Sequence, residues 1–159
     1  MLKFVNYEVT FSEIPDEITL CINISNCPMG CPGCHSPYLA EDIGEPLTLD
    51  TLYKILSKNK GISCVCFMGG DRDPYDVEYL AFMLRMEYDL KIAWYSGKND
   101  LPRDFKIDLF DYIKLGPYIE EMGGLNSIAT NQIMFKVHNG ELINITHKFW
   151  KNVFKDNLQ

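Results

Sequence analysis

The chain lacks any apolar run of the about 18 residues that a bilayer-spanning helix needs, so no segment is expected to cross a membrane. A basic stretch is missing too. The 159 residues carry a formal net charge of −7, and nothing in them could follow a phosphate backbone. Nucleic acid and anionic lipid are therefore not expected as partners. The first residues, MLKFVNYE, have neither the apolar core nor the cleavage site of a secretory leader, so a cytoplasmic location is expected. Internal repeats, low-complexity tracts and Gly/Ser linkers are also absent. One domain over residues 1–159 is expected, long enough to bury a core without disulfide staples. No paired carboxylates and no Ser/His/Asp arrangement stand out, which leaves acid–base and acyl-transfer chemistry without candidate residues.

The chain is richer in thiols. Of its six cysteines, three fall within eight residues, where positions 26–37 read NCPMGCPGCHSP. These are Cys27, Cys31 and Cys34, with His35 following directly. Such a cluster suits a disulfide knot, a zinc site, a c-type haem attachment or an iron–sulfur cluster. In a reducing cytoplasm six cysteines do not read as three disulfides. Residues 31–35 match the C-x-x-C-H pattern for haem, but the rest of the chain alternates strands with helices, unlike a small helical cytochrome. Zinc and iron–sulfur stay open. His35 could complete a site of three cysteines and one histidine, although neighbours 34 and 35 would then both have to reach one small ion. Three thiolates without a fourth would leave one iron of a four-iron cluster free to bind something else.

Periodicity places this loop. Ile18, Leu20, Ile22 and Ile24 alternate with Thr19, Cys21, Asn23 and Ser25, the pattern of a strand with an apolar back and a polar front. The cysteine loop begins where it ends. Leu47 to Asn59 reads as a helix with Leu52, Ile55 and Leu56 on one face and Thr48 or Asp50 as N-cap. Gly61 to Met68 reads as a strand ending in Gly69-Gly70. Asp73-Pro74 starts a second helix, with Val77, Leu80, Ala81, Leu84 and Tyr88 as its buried stripe. Lys91 to Tyr95, Tyr112 to Leu115 and Gln132 to Val137 read as further strands, with a short turn or helix over 99–110. Glu141 to Ile145 is expected to pair with the last of these across His138-Asn139-Gly140.

Alternation of this kind predicts βαβ units and a mainly parallel α/β sheet, open or closed into an incomplete barrel. Such sheets bind ligands at the C-terminal ends of their strands. The cysteine loop, Gly69-Gly70-Asp71, Ser96-Gly97 and Gly116-Pro117 all fall there and are expected to form one site.

The C-x3-C-x2-C spacing at the end of a first strand resembles the radical S-adenosylmethionine superfamily, and Phe67-Met68-Gly69-Gly70-Asp71 is similar to the Gly-Gly-Glu found there after the second strand. The likeness narrows over ISNCPMGCPGCHSP (24–37), DYIKLGPY (111–118) and GGLNSIATNQ (123–132). These resemble the activating proteins of anaerobic (class III) ribonucleoside-triphosphate reductase, over roughly residues 7–150. The chain departs from the pattern at Asp71, one methylene shorter than glutamate, at Ile133, where arginine is common, and at Gly33, where many radical enzymes have an aromatic.

The resemblance implies an incomplete parallel β/α barrel of about five to six strands. It implies one 4Fe–4S cluster held by Cys27, Cys31 and Cys34, whose open iron binds the amino and carboxylate groups of S-adenosylmethionine. One electron then releases a 5′-deoxyadenosyl radical, which takes a hydrogen from a glycine near the C-terminus of the reductase. The implied partners are that reductase and a low-potential electron donor such as flavodoxin, and no catalytic residue is needed beyond the cluster. Gly69, Gly70 and Asp71 are expected near the methionine end of the cofactor. Ser96 suits a ribose contact or a plain turn, and Asn131-Gln132 a cofactor or substrate-glycine contact or a plain strand entry. Other readings are an activase of another glycyl radical enzyme (formate-lyase type), a non-catalytic zinc or iron–sulfur module, and a small radical enzyme acting on a nucleobase-like metabolite.

Remaining residues have plainer expectations. Cys64 and Cys66 share one side of a strand and read as apolar packing rather than a second metal pair, as does Cys21. His35 stays open between cofactor contact and loop polarity. Phe149, Trp150 and Phe154 are expected to seal a core.

Overall fold

The structure is a computed structural model and describes residues 1–150. Its strands are β1 (Lys3–Thr10), β2 (Thr19–Ile24), β3 (Glu45–Pro46), β4 (Cys64–Met68), β5 (Lys91–Tyr95), β6 (Tyr112–Leu115), β7 (Ile133–His138) and β8 (Glu141–Asn144). Its helices are α1 (Leu49–Lys58) and α2 (Pro74–Glu87). No helix among the described residues is long and apolar enough to cross a membrane.

All eight strands join one sheet in the order β3-β1-β2-β4-β5-β6-β7-β8. The four central strands β2, β4, β5 and β6 run parallel. Every pairing outside them is antiparallel. This overturns the incomplete parallel β/α barrel of five to six strands: among the described residues the sheet is open, mixed and eight-stranded, with two α-helices. A β/α barrel needs a covering helix after each strand to force the next one parallel. Here the β5–β6 connection holds only one short helical turn at Ile107–Leu109. After β6 the chain runs through turns and then reverses into β7 and the β7–β8 hairpin.

The helices pack on one face. Leu52, Ile55 and Leu56 of α1 and Val77, Leu80 and Leu84 of α2 cover Leu20, Ile22, Val65, Phe67, Ile92 and Trp94 of the parallel strands. Thr48 caps α1 by accepting the Thr51 amide at 3.2 Å, and Asp73 caps α2 by accepting the Asp76 amide at 3.2 Å, with Pro74 in its first turn. Tyr88 differs from expectation. It ends α2 in an extended conformation and packs on Tyr53 rather than joining the buried stripe. The outer face of α2 keeps Tyr75, Tyr79, Phe82 and Met86 exposed.

The opposite face is covered by loops. Cys21, Cys64, Cys66, Ala93 and Met134 form a second buried cluster with Ile14, Leu125 and Ile145, and Phe149 packs against it. The three thiols therefore act as small apolar groups. Trp150 donates its indole N–H to the Leu125 carbonyl at 3.0 Å, while Phe154 lies outside the described residues.

Candidate functional site

The C-terminal ends of the four parallel strands open into a cavity of about 520 Å³. Its wall includes Cys27, Cys31, Cys34 and His35 after β2, Gly69 and Asp71 after β4, Ser96 and Gly97 after β5, and Tyr118, Gly124, Asn126 and Gln132 from the loop after β6. The cysteine loop, Gly69 and Asp71, and Ser96-Gly97 share this cavity as expected, whereas Gly116-Pro117 are not in its wall and Gly70 lines a smaller pocket with Leu2, Ser25 and Arg72. The shared cavity follows from the part of the sheet that is parallel.

The cysteine loop is shaped by its backbone. The Cys27 amide donates to the Leu39 carbonyl at 2.9 Å and the Cys34 amide to the Cys31 carbonyl at 3.1 Å. Gly33 has φ +75°, a left-handed conformation that lets the chain turn between Cys31 and Cys34. All three thiols are free and half-buried, and the Cys34 sulfur accepts the Ser36 amide at 3.4 Å. Burial pushes the Cys27 thiol above its usual range, with Asp71 and the other two cysteines adding to the rise. Among the described residues no three His, Cys, Asp or Glu side chains converge on one point as the ligands of a single ion do. Three thiolates on one loop are the soft donors that zinc or an iron–sulfur group takes. Cys27, Cys31 and Cys34 are the residues able to hold it. His35 packs on Tyr118 with ring centroids 5.1 Å apart, which gives it a structural partner at the cavity edge.

The second and third loops are bound to each other. The Gly69 amide donates to the Tyr95 carbonyl at 3.0 Å, and Trp94 donates its indole N–H to the Gly69 carbonyl at 2.8 Å. Asp71 accepts the Ser96 hydroxyl on one oxygen and the Gly97 amide, at 2.8 Å, on the other. The Ser96 oxygen in turn accepts the Lys98 amide at 3.1 Å. Asp71, expected near the methionine end of a cofactor, and Ser96, open between a ribose contact and a plain turn, both line the cavity and are bonded to each other within the protein. Asn131 is not part of the cavity wall: its amide donates to the Pro117 carbonyl at 3.0 Å, and its side-chain oxygen is buried without a partner.

One charged lining residue escaped sequence reasoning. Lys114 on β6 is 7% exposed, donates to the carbonyls of Gly116 at 2.7 Å and Ser96 at 3.2 Å, and stands 5.8 Å from the centre of the Tyr95 ring. Burial lowers its pKa to about 8, against the opposing pull of Asp71 and the cysteines. It is the one ammonium group in the cavity wall among the described residues. Its signal was a lone lysine in the apolar strand YIKL, directly before Gly-Pro. Of the Asn131-Gln132 pair singled out in the sequence, Gln132 is the member that lines the cavity, where it is largely buried.

No protein-family model, curated protein or solved structure matches this chain.

Proposed function

We propose that this chain is an iron–sulfur activase of the radical S-adenosylmethionine type, which generates a glycyl radical on anaerobic ribonucleoside-triphosphate reductase. The observation that carries the reading is the joining of three free thiols of one loop with the Gly-Gly-Asp and Ser-Gly loops around one cavity at the parallel strand ends. Cys27, Cys31 and Cys34 would hold a 4Fe–4S cluster, and the group supplies one-electron reductive cleavage of the sulfonium when bound.

The chain's own residues prepare the cavity for this. The Asp71–Ser96–Gly97 bonds fix the β4 and β5 loops relative to each other, so their backbone is in place before any ligand arrives. Lys114 sets one positive charge among thiols and a carboxylate, which favours an anionic ligand group there. Ile24, Met68 and Tyr95 add apolar wall to the cavity.

Anaerobic reconstitution tests the reading. About four irons per chain are expected, with a broad visible absorption that bleaches on reduction. Added S-adenosylmethionine and a low-potential donor such as flavodoxin should then yield 5′-deoxyadenosine. Uptake of one zinc and no iron would end the proposal in favour of a non-catalytic module.

A further inference from the structure

The two helices cover the same face of the sheet but differ in what they show to water. The exposed positions of α1 are Asp50, Lys54, Ser57 and Lys58, the polar outside of an ordinary surface helix. On α2 the exposed positions before Glu87 are Tyr75, Tyr79, Phe82 and Met86, each between 48% and 68% exposed. Its inner face is apolar as well, with Val77, Leu80, Ala81 and Leu84 buried. The charged side chains along this length are bonded within the chain. Asp76 accepts the Leu2 amide at 2.9 Å, Glu78 accepts the Lys106 amide at 2.7 Å, and Arg85 pairs with Asp111 at 2.5 Å. A helix that is apolar all round belongs inside a larger assembly. Aromatic rings and methionine without exposed charge are also the composition of an interface core.

The spacing of the stripe says what fits on it. Positions 75, 79, 82 and 86 advance by four, three and four residues, which is the seam of a two-helix coiled coil. The seam is symmetric about a midpoint between Leu80 and Ala81. Laid antiparallel on its own copy, it sets Tyr75 against Met86 and Tyr79 against Phe82. Every layer then holds a ring facing a ring or a thioether. The four side chains offer on the order of 500 Å² per copy, so a symmetric pair reaches about 1,000 Å², the lower bound for a specific interface. Charge at the two ends agrees with this direction. Arg72, exposed just before the helix, donates its Nε–H to the Asn26 carbonyl at 3.2 Å and has no ion-pair partner among the described residues. Glu87 and Asp89 are exposed at the other end and are likewise unpaired. Antiparallel packing brings Arg72 of one copy to the Glu87 and Asp89 end of the other. The seam itself is uncharged, so the net charge of −7 is not concentrated at the contact.

We propose that two copies of this chain pair through α2, antiparallel about a twofold axis at the level of Leu80 and Ala81, with Tyr75, Tyr79, Phe82 and Met86 as the buried seam. The pairing does not rest on the activase reading. None of the four seam residues lines the cavity at the strand ends, so each copy keeps its own.

The test uses the full chain, kept anaerobic and reduced so that no disulfide joins two copies. Sedimentation velocity from about 1 to about 300 µM should show a shift toward twice the 18.3 kDa chain mass, with a dissociation constant of about 1–100 µM for so small an interface. Phe82→Glu and Tyr79→Lys should each weaken self-association about hundredfold or more, because a symmetric pair carries every substitution twice. Both are surface changes, and melting curves at low concentration should match the native chain. Mixed in equal amounts, the two variants should pair again, since position 79 of one copy faces position 82 of the other and Lys meets Glu there. A chain that stays monomeric over the whole range overturns the proposal and leaves the stripe to a foreign partner. A dimer that Phe82→Glu leaves intact overturns it too, by placing the contact elsewhere. Two monomeric variants that do not pair on mixing rule out the antiparallel seam.

Discussion

Asp71 and Ser96 are bonded to each other across the ends of β4 and β5, and the Gly97 amide takes the second Asp71 oxygen at 2.8 Å. With Asp71 only 3% exposed, both of its oxygens are committed. The shorter acid in the Gly-Gly-Asp sequence thus ties two loops together. Asp71→Ala should lower stability by roughly 2–4 kcal/mol, since it leaves a buried hydroxyl and amide without acceptors. Asp71→Asn keeps an acceptor and should cost about half as much. Urea unfolding measures both, and a native-like midpoint for Asp71→Ala would show that the tie does not hold the loops.

Gly70 has φ +95°, and a Cβ there would sit 2.7 Å from the Val77 Cγ2. Gly61 has a similar φ of +88° but open space around it. Alanine at 61 should therefore cost about 1 kcal/mol of backbone strain, and alanine at 70 about 2–4 because overlap adds to strain. Thermal melts of the two variants separate the contributions.

Cys21, Cys64 and Cys66 are buried, whereas Cys27, Cys31 and Cys34 are half-buried in the cavity wall. Burial also drives the Cys66 thiol well above its usual range, so little reactive thiolate forms there. Alkylation of the folded, iron-free protein should label 27, 31 and 34 first and the other three only on unfolding. Cys64→Ala should lower stability by about 1–2 kcal/mol and leave iron uptake intact. Alanine at Cys27, Cys31 or Cys34 should do the reverse. Peptide mapping by mass spectrometry and iron assays read the two patterns.

Lys114 titrates at about 8 in the folded chain because burial disfavours its charge. Its unfolded value is about 10.4. Between these values the unfolded chain binds the extra proton, so this group makes stability rise with pH from about 8 to about 10.4. Other groups titrate in that window, so the test is the difference between native and Lys114→Met. The native protein should gain on the variant by up to roughly 3 kcal/mol as pH goes from 7 to 10.5. A difference that stays flat over this window would mean that Lys114 is not held in a charge-disfavouring site.

Much of the centre was legible in the sequence. β5 and β6 fall where alternation and apolar runs place them, and Asp73-Pro74 starts α2. The flanks were not. β1 was missed because its register shifts between Phe4 and Asn6, and that break in alternation brings Phe4 and Tyr7 together at 6.3 Å. Strand direction is invisible in a hydrophobic pattern, so β7 read as a fifth strand of a parallel array when it turns back along β6. In the site, residue identity marked Cys27, Cys31 and Cys34 for the cavity. It could not reveal that Asp71 and Ser96 satisfy each other, nor that Lys114 reaches the cavity and Asn131 does not, because those facts depend on which loops meet.

The most direct test mixes the iron-loaded chain, S-adenosylmethionine and reductant with anaerobic ribonucleoside-triphosphate reductase under strict anaerobiosis, followed by electron paramagnetic resonance. The account predicts a glycyl-radical doublet on the reductase that needs all three components and disappears with alanine at Cys27, Cys31 or Cys34. A silent reductase beside a doublet on a formate-lyase-type enzyme, or no doublet on either while the cluster is intact, would contradict it.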